Sequence, residues 1–303
     1  MFRSCPRQYW FSRYGSWEGW ERDAPVLNRE AYRLKKLSNR YLWTGNRVHE
    51  TLRGVLEAFR KGAIPEPDRV REQLLETLRK DFRDSRENPR GTLAPKGKVV
   101  LIEHDDPTQA ITDAEWRPIV DRALDSVSGF FRSEAFRIIR ECGPGSLVRN
   151  DSELESMTAT AGDYPFPVFV TIDAAIDTPD GLLILDWKTG KPDRSDGHAK
   201  QLGLYALFAQ KVLNVPPERI RFAPVYLAYT PEMLSVEAVT PGLLETVASE
   251  IAREAGNILS RIDDPDRGEA RMERFPVTDN PSACRNCSFQ SLCTEKPLRK
   301  TRR

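Results

Sequence analysis

The chain has 303 residues, 46 Lys plus Arg against 45 Asp plus Glu, 39% hydrophobic residues and a mean hydropathy of -0.54. A net charge of +1 excludes a global basic field for nucleic acid, so any basic surface has to be local. No apolar run approaches the roughly 18 residues of a membrane span, and the Arg- and aromatic-rich start "MFRSCPRQYWFSRY" lacks the apolar stretch of a secretory signal, so a cytoplasmic globular protein is expected.

The first clear element covers residues 43–61. Val48, Leu52, Val55, Leu56 and Phe59 recur at helical spacing, with Arg47, Glu50, Arg53, Glu57 and Arg60 on the other side. Pro65 and Pro67 stop this helix. A polar helix is expected over 68–87, a loop with a short "VVLIEH" strand over 89–108, and a long helix over 113–141 closed by "CGPGS". The pattern then becomes strand-like in "SLVRNDSELES", "FPVFVTIDAAID" and "GLLILDWK". A helix over 198–213, strands in "RIRFAPVYLAY" and "LSVEAV", and an amphipathic helix over 241–262 follow. This order predicts one α/β domain of mixed α+β character. Its helical part lies at about 29–141, its core at about 146–240, and its C-terminal helix and cysteine cluster at 241–295.

Leu182 to Leu185 form a continuous apolar run, which predicts a strand buried on both faces. Side chains alternate on a strand, so Asp186 and Lys188 share a face at its end and Trp187 points away. Charge is costly to bury unless it is paired or metal-bound, and a lone D-x-K reads first as an ion pair. Pro179, Asp180 and Gly181 supply turn chemistry. A two-residue turn there sets Thr178 against Gly181 and Asp173 against Asp186; a bulge at Gly181 would slip the register and reverse the faces. Facing carboxylates repel unless a proton or a divalent cation joins them, and oxygen ligands suit Mg²⁺ or Mn²⁺.

In "HAKQLGLYALFAQKV", Gln201 and Tyr205 stand at i and i+4 on the face of Leu204, Phe208 and Val212. Their polar ends can reach toward the strand end, although an ordinary helix with a buried tyrosine hydroxyl gives the same pattern. His49 flanks the first helix's stripe, three residues before Leu52, where a histidine is mostly structural. His104 and His198 read as structural or surface residues.

Five cysteines in a cytoplasmic chain point to metal or catalysis rather than disulfides. "CRNCSFQSLC" spaces Cys284, Cys287 and Cys293 as C-x2-C-x5-C, with Cys5 in "SCPRQYW" as the fourth thiol; Cys142 has no partner spacing. Four thiolates hold zinc or an iron–sulfur cluster, and zinc more usually offers two C-x2-C pairs. Residues 2–22 interleave Arg with Tyr9, Trp10, Phe11, Tyr14, Trp17 and Trp20. Stacking on single-stranded bases is one reading; packing around the metal site is the other, and is expected for Tyr9, Trp10 and Phe11. The basic stretch 296–303 is either a phosphate contact or a solvated tail.

"GNRVHETL", "VTIDAAID", "LILDWKTGK" and "QLGLYAL", in this order, resemble the RecB-like branch of the PD-(D/E)XK nucleases. The match falls on Gly45, His49, Leu52, Ile172, Asp173, Asp186, Lys188, Thr189, Gly190, Gln201 and Tyr205, while Val170 stands where many members carry glycine. The cysteine pattern and "CPRQYWF" resemble the iron–sulfur members of that branch, the AddB-type helicase–nucleases and the CRISPR-associated RecB-like exonucleases. The resemblance implies a restriction-endonuclease-like core with a helical insertion. It also implies a 4Fe–4S clip on Cys5, Cys284, Cys287 and Cys293.

It further implies a Mg²⁺- or Mn²⁺-dependent DNA phosphodiesterase, an exonuclease on single-stranded or frayed ends. Asp173, Asp186, His49 and the Trp187 carbonyl would hold the metal. Lys188 would activate water and stabilise phosphate charge, and Gln201 and Tyr205 would position Lys188 or the DNA. Glu153 is a weaker candidate. The implied partners are DNA and a separate helicase or a CRISPR or repair protein, in DNA repair or antiviral defence. The alternatives are a DNA-binding or assembly subunit that keeps the fold without strong catalysis, and a zinc-stapled interaction protein indifferent to Mg²⁺.

Overall fold

After a short helical stretch over Pro6–Trp10 and Phe11–Gly15, three longer helices occupy the N-terminal third: α1 (Val26–Lys36), α2 (Arg40–Arg60) and α3 (Pro67–Glu87). On α2 the stripe Val48, Leu52, Val55, Leu56 and Phe59 is buried throughout, as its period requires. The expected 113–141 helix is two helices, α4 (Asp113–Arg132) and α5 (Glu134–Cys142). Ser133 breaks it: its backbone is extended and its hydroxyl accepts the Phe136 N–H at 3.1 Å, an N-cap in mid-sequence. Of "VVLIEH", only Val100–Leu101 is a strand, paired in parallel with Leu37–Ser38, and Ile102–Asp105 is helical.

The computed structural model describes residues 1–150, 154–192, 196–229, 234–265, 267–285 and 287–293, with the side chains of 196–199 and 241 not included. Glu153, the His198 side chain and the basic stretch 296–303 therefore lie outside the described residues. The chain forms two compact units, residues 1–40, 81–110 and 255–303, and residues 41–80 and 111–254. Among the described residues no helix is long and apolar enough to cross a membrane.

The second unit holds the strands β1 (Leu147–Arg149), β2 (Glu155–Ala161), β3 (Tyr164–Val170), β4 (Ala174–Thr178) and β5 (Gly181–Lys188). Then come α6 (Asp196–Lys211), β6 (Ile220–Tyr226), β7 (Glu237–Ala238) and α7 (Pro241–Leu259), whose last residues belong to the first unit. Five strands form a mixed sheet in the order β1-β4-β5-β6-β7; only the β5–β6 pair is parallel. β2 and β3 make a separate antiparallel hairpin. The stretch "FPVFVTIDAAID" thus splits between two sheets.

β5 is buried on both faces, as its apolar run predicts. Leu182 and Ile184 pack in one cluster with Leu202, Tyr205 and Phe208 of α6. Trp187, on the opposite face, meets Phe130 of α4 edge to face with centroids 5.3 Å apart. Gly129 lets that helix close in: a Cβ there would lie 1.8 Å from the Leu227 carbonyl oxygen. The β4–β5 turn pairs Thr178 with Gly181 and Ala174 with Leu185, the unslipped register. Gly181 has a φ of +124°, and a Cβ on it would lie 2.2 Å from the Arg219 carbonyl oxygen.

In the first unit, Phe2, Trp10, Phe11, Ala31, Leu34, Phe275 and Phe289 form the core. Phe11 stacks on Phe289 at 5.5 Å, and Trp10 Nε1 donates to the Ala270 carbonyl at 2.6 Å. Tyr9, Trp10 and Phe11 pack here as expected. His104 lies in this unit against Phe82, its Nδ1 2.8 Å from Ser85 Oγ. Burial and the charge of Arg86 push its pKa down to about 4, which favours the neutral ring.

Candidate active site

β5 carries Asp186 and Lys188 to its C-terminal end on the face turned to α6. The register brings Asp173 opposite Asp186, one residue before β4 begins. Asp173 lies where the ladder would continue, and its carboxylate takes over: Oδ2 accepts the Trp187 N–H at 2.7 Å. That bond fixes the carboxyl group just beyond the last β4–β5 pair. The other oxygen, Oδ1, is 3.0 Å from Nδ1 of His49 on α2. A residue 124 positions away thus grips the same carboxylate.

Asp186 is 2% exposed. Its Oδ2 lies 2.5 Å from Lys188 Nζ, an ion pair by distance. That oxygen nevertheless has no well-directed hydrogen bond among the described residues. Oδ1 accepts from Gln201 Nε2 at 3.3 Å. The same amide donates to Tyr205 Oη at 2.7 Å, and its Oε1 accepts from Lys188 Nζ at 2.8 Å. Gln201 therefore ties acid, lysine and tyrosine into one network. Burial raises the Asp186 pKa above the usual carboxylate range; Lys188 opposes the rise, Asp173 adds to it and His49 opposes it.

His49, Asp173, Asp186, Lys188 and Gln201 line a cleft of about 600 Å³. Gly45 lines it too, and a Cβ there would only touch Thr189 Oγ1 at 3.5 Å. Steric exclusion therefore does not explain this glycine. The sequence reading did not single out Tyr41, Leu42, Asn46 or Arg53, which also line the cleft. Their signal was helical spacing from His49: positions 42, 45, 46, 49 and 53 lie on one side of α2.

In the first unit Cys5, Cys284, Cys287 and Cys293 line one cavity of about 1430 Å³, and all are free thiols. Burial, and beyond it the charges of Cys5, Cys293 and Cys284, push the Cys287 thiol up to about 11. Cys284 is also raised, by burial and then by Cys5 and Cys293. Cys287 thus senses the other three thiols, and Cys284 senses two of them. Cys142 ends α5 in the second unit. Among the described residues, no three His, Cys, Asp or Glu side chains gather closely enough to hold a metal ion. In the cleft, His49 closes on Asp173 and Lys188 on Asp186 instead.

A mixed sheet whose central strand ends in Asp-x-Lys, beside a second aspartate and a helical Gln-x3-Tyr, defines a nuclease-type α/β core. The chain belongs to the PD-(D/E)XK nuclease superfamily, whose family model matches residues 1–294. Nucleases of this superfamily are phosphodiesterases and usually use Mg²⁺ or Mn²⁺. Among solved structures, SSO0001 is 15% identical over 60% of this chain and 78% of its own, with a TM-score of 0.30. A candidate exonuclease from Eubacterium rectale is 16% identical over 72% and 83%, with a TM-score of 0.31. No curated protein matches the chain.

Proposed function

We propose that this chain is a Mg²⁺- or Mn²⁺-dependent DNA nuclease of the RecB-like, iron–sulfur branch. In this reading it is an exonuclease on single-stranded or frayed DNA, and both units belong to one nuclease domain. The observation that carries the reading is Asp186: a buried carboxylate with a raised pKa and one oxygen lacking a directed hydrogen bond. A divalent cation would satisfy such an oxygen; Lys188 and His49 hold the two carboxylates in this structure and would have to give way to it. Asp173, Asp186 and His49, with the Trp187 carbonyl, would hold the ion. Bound there, it would lower the pKa of a water and polarise a phosphoryl oxygen.

The chain's own groups do the rest. Lys188, held by Gln201 at 2.8 Å, supplies a fixed cation for the charge that develops on the phosphate. Tyr205 fixes the amide of Gln201, and through it the direction of Lys188. His49 and the Trp187 N–H hold the Asp173 carboxyl from two sides. The four cysteines carry the donor chemistry of a 4Fe–4S cluster and line one cavity, without being gathered closely enough to hold a metal ion; a bound cluster would have to draw them together and would tie the chain ends. The proposed partners are DNA and a separate helicase or a CRISPR or repair protein, in the cytoplasm.

The test uses purified protein on end-labelled single- and double-stranded DNA with Mg²⁺, Mn²⁺ or chelator. Metal-dependent release of nucleotides from single-stranded ends supports the reading. Binding without cleavage in every metal points to the DNA-binding subunit instead. His49 refines the picture. His49→Ala should raise the Mg²⁺ needed for half-maximal cleavage by roughly 10–100-fold, as loss of a metal ligand's partner or of a ligand does. A metal titration beside a melting curve checks this: lower stability with unchanged metal dependence would make His49 a core residue only.

A further inference from the structure

The first unit presents two indoles to solvent. Trp17 is 60% exposed and Trp20 is 48% exposed. Their rings meet edge to face with centroids 5.5 Å apart, and Trp20 meets Tyr32 of α1 in the same way at 5.5 Å. The turn that carries them is tightly held. Asn28 Nδ2 donates to the Trp17 carbonyl at 3.1 Å. Glu18 sits at a φ of 55°, which side chains other than glycine rarely adopt. A Cβ on Gly19 would lie 2.2 Å from the Asn28 carbonyl oxygen. The backbone therefore accepts an uncommon conformation and a close approach to hold two large apolar rings outward.

Cations border the rings. Lys36 Nζ lies 5.2 Å from the Tyr32 ring centroid. Lys35 Nζ reaches Ser16 Oγ at 3.4 Å, one residue before Trp17. Burial lowers the Lys35 pKa, and the charges of Arg13 and Lys36 lower it further, so three cations crowd this edge. Among the described residues none of the three has a carboxylate within ion-pair distance; Glu18, Glu21 and Asp23, on the neighbouring loop, pair with none of them.

We propose that this patch binds single-stranded nucleic acid. Unpaired bases would stack on Trp17 and Trp20, and the backbone phosphates would lie against Arg13, Lys35 and Lys36. The choice of occupant rests on the nuclease reading above. Within it, the chemistry is selective: a single strand offers open base faces, and a duplex hides them. The patch lies in the first unit and the acidic cleft in the second, so the site is additional to the catalytic one.

The test uses the full chain with chelator present, so that nothing is cut. Fluorescent oligo(dT) is titrated by anisotropy, and tryptophan quenching is followed in parallel. Trp17→Ala with Trp20→Ala should weaken oligo(dT) binding roughly tenfold or more and remove much of the quenching, with duplex binding nearly unchanged. Lys35→Glu with Lys36→Glu should weaken it as well and flatten its salt dependence. These side chains are exposed, and circular dichroism checks that both variants fold. Unchanged oligo(dT) affinity in the tryptophan variant overturns the proposal. So does an equal loss for duplex, or a wild-type chain that self-associates through this patch in sedimentation. If wild type binds through the patch but cleaves nothing in any metal, the nuclease reading fails and the patch stands. If wild type cleaves and the variants bind normally, the patch alone fails.

Discussion

Asp186→Asn should abolish metal-dependent cleavage and leave the protein as stable as before or more so. The two effects have one cause. The fold buries this carboxylate and raises its pKa, so the charged form is disfavoured in the folded state relative to the unfolded one. Above the ordinary carboxylate pKa, that mismatch lowers stability, and a neutral amide of the same shape removes it. Gln201 Oε1 still holds Lys188, which therefore does not lose its last partner. The charge that is costly to the fold is the one a divalent cation needs. Lys188→Ala should reduce cleavage by roughly 10²–10³-fold, the scale for removing one group that stabilises developing charge. It should leave Mn²⁺ binding intact, because its contact to Asp186 competes with metal rather than assisting it. Cleavage assays, melting curves and a Mn²⁺ titration on the two variants separate these roles. A folded Asp186→Asn protein that cleaves at the wild-type rate would remove Asp186 from the chemistry.

The hairpin and its carboxylates were legible because their determinants are local. Pro179, Asp180 and Gly181 specify the turn, the turn specifies the register, and counting outward sets Asp173 against Asp186. Gln201 and Tyr205 followed from helical spacing. What was not legible depends on partners far away in sequence. "FPVFVTIDAAID" reads as one strand because every residue in it suits a strand; it breaks where the Asp173 carboxylate takes the Trp187 N–H. The "LSVEAV" strand shrinks to Glu237–Ala238, which pairs with Arg221 and Phe222. The contact of His49 with Asp173 spans 124 residues and has no local signature. By contrast, the Ser133 break had one, a capping serine before Glu134, inside a stretch whose periodicity hid it. The aromatic start looked uniform in sequence, yet Phe11 is buried and Trp17 and Trp20 are exposed. Gly19 and the positive φ at Glu18 make that difference, and neither follows from the spacing of aromatics.

Cys5→Ala should lose bound iron as completely as Cys287→Ala. The two residues lie at opposite ends of the sequence, so only the fold can make them equivalent, and both line the same cavity in the first unit. Each removes one of four thiolates from the proposed cluster. Anaerobically purified wild type should be brown and contain iron and sulfide, and both variants should be colourless. The thiol chemistry adds a pH signature. Cys287 is pushed up to about 11, so at neutral pH the free thiol keeps its proton and metal binding must release it. Cluster retention should therefore fall as pH falls. Phe11 stacks on Phe289, and Arg7 Nε donates to the Phe275 carbonyl at 2.7 Å, so both ends of the chain share one core. Loss of the cluster should loosen them together, and protease should then cut near residues 1–20 and 280–293. The sheet of the second unit has its own core, so residual metal-dependent cleavage should survive. Colourless wild type with one equivalent of zinc would replace the cluster by a zinc staple. Unchanged iron content in Cys5→Ala would exclude Cys5 from the ligand set, and with it the closure of the two chain ends through one metal site.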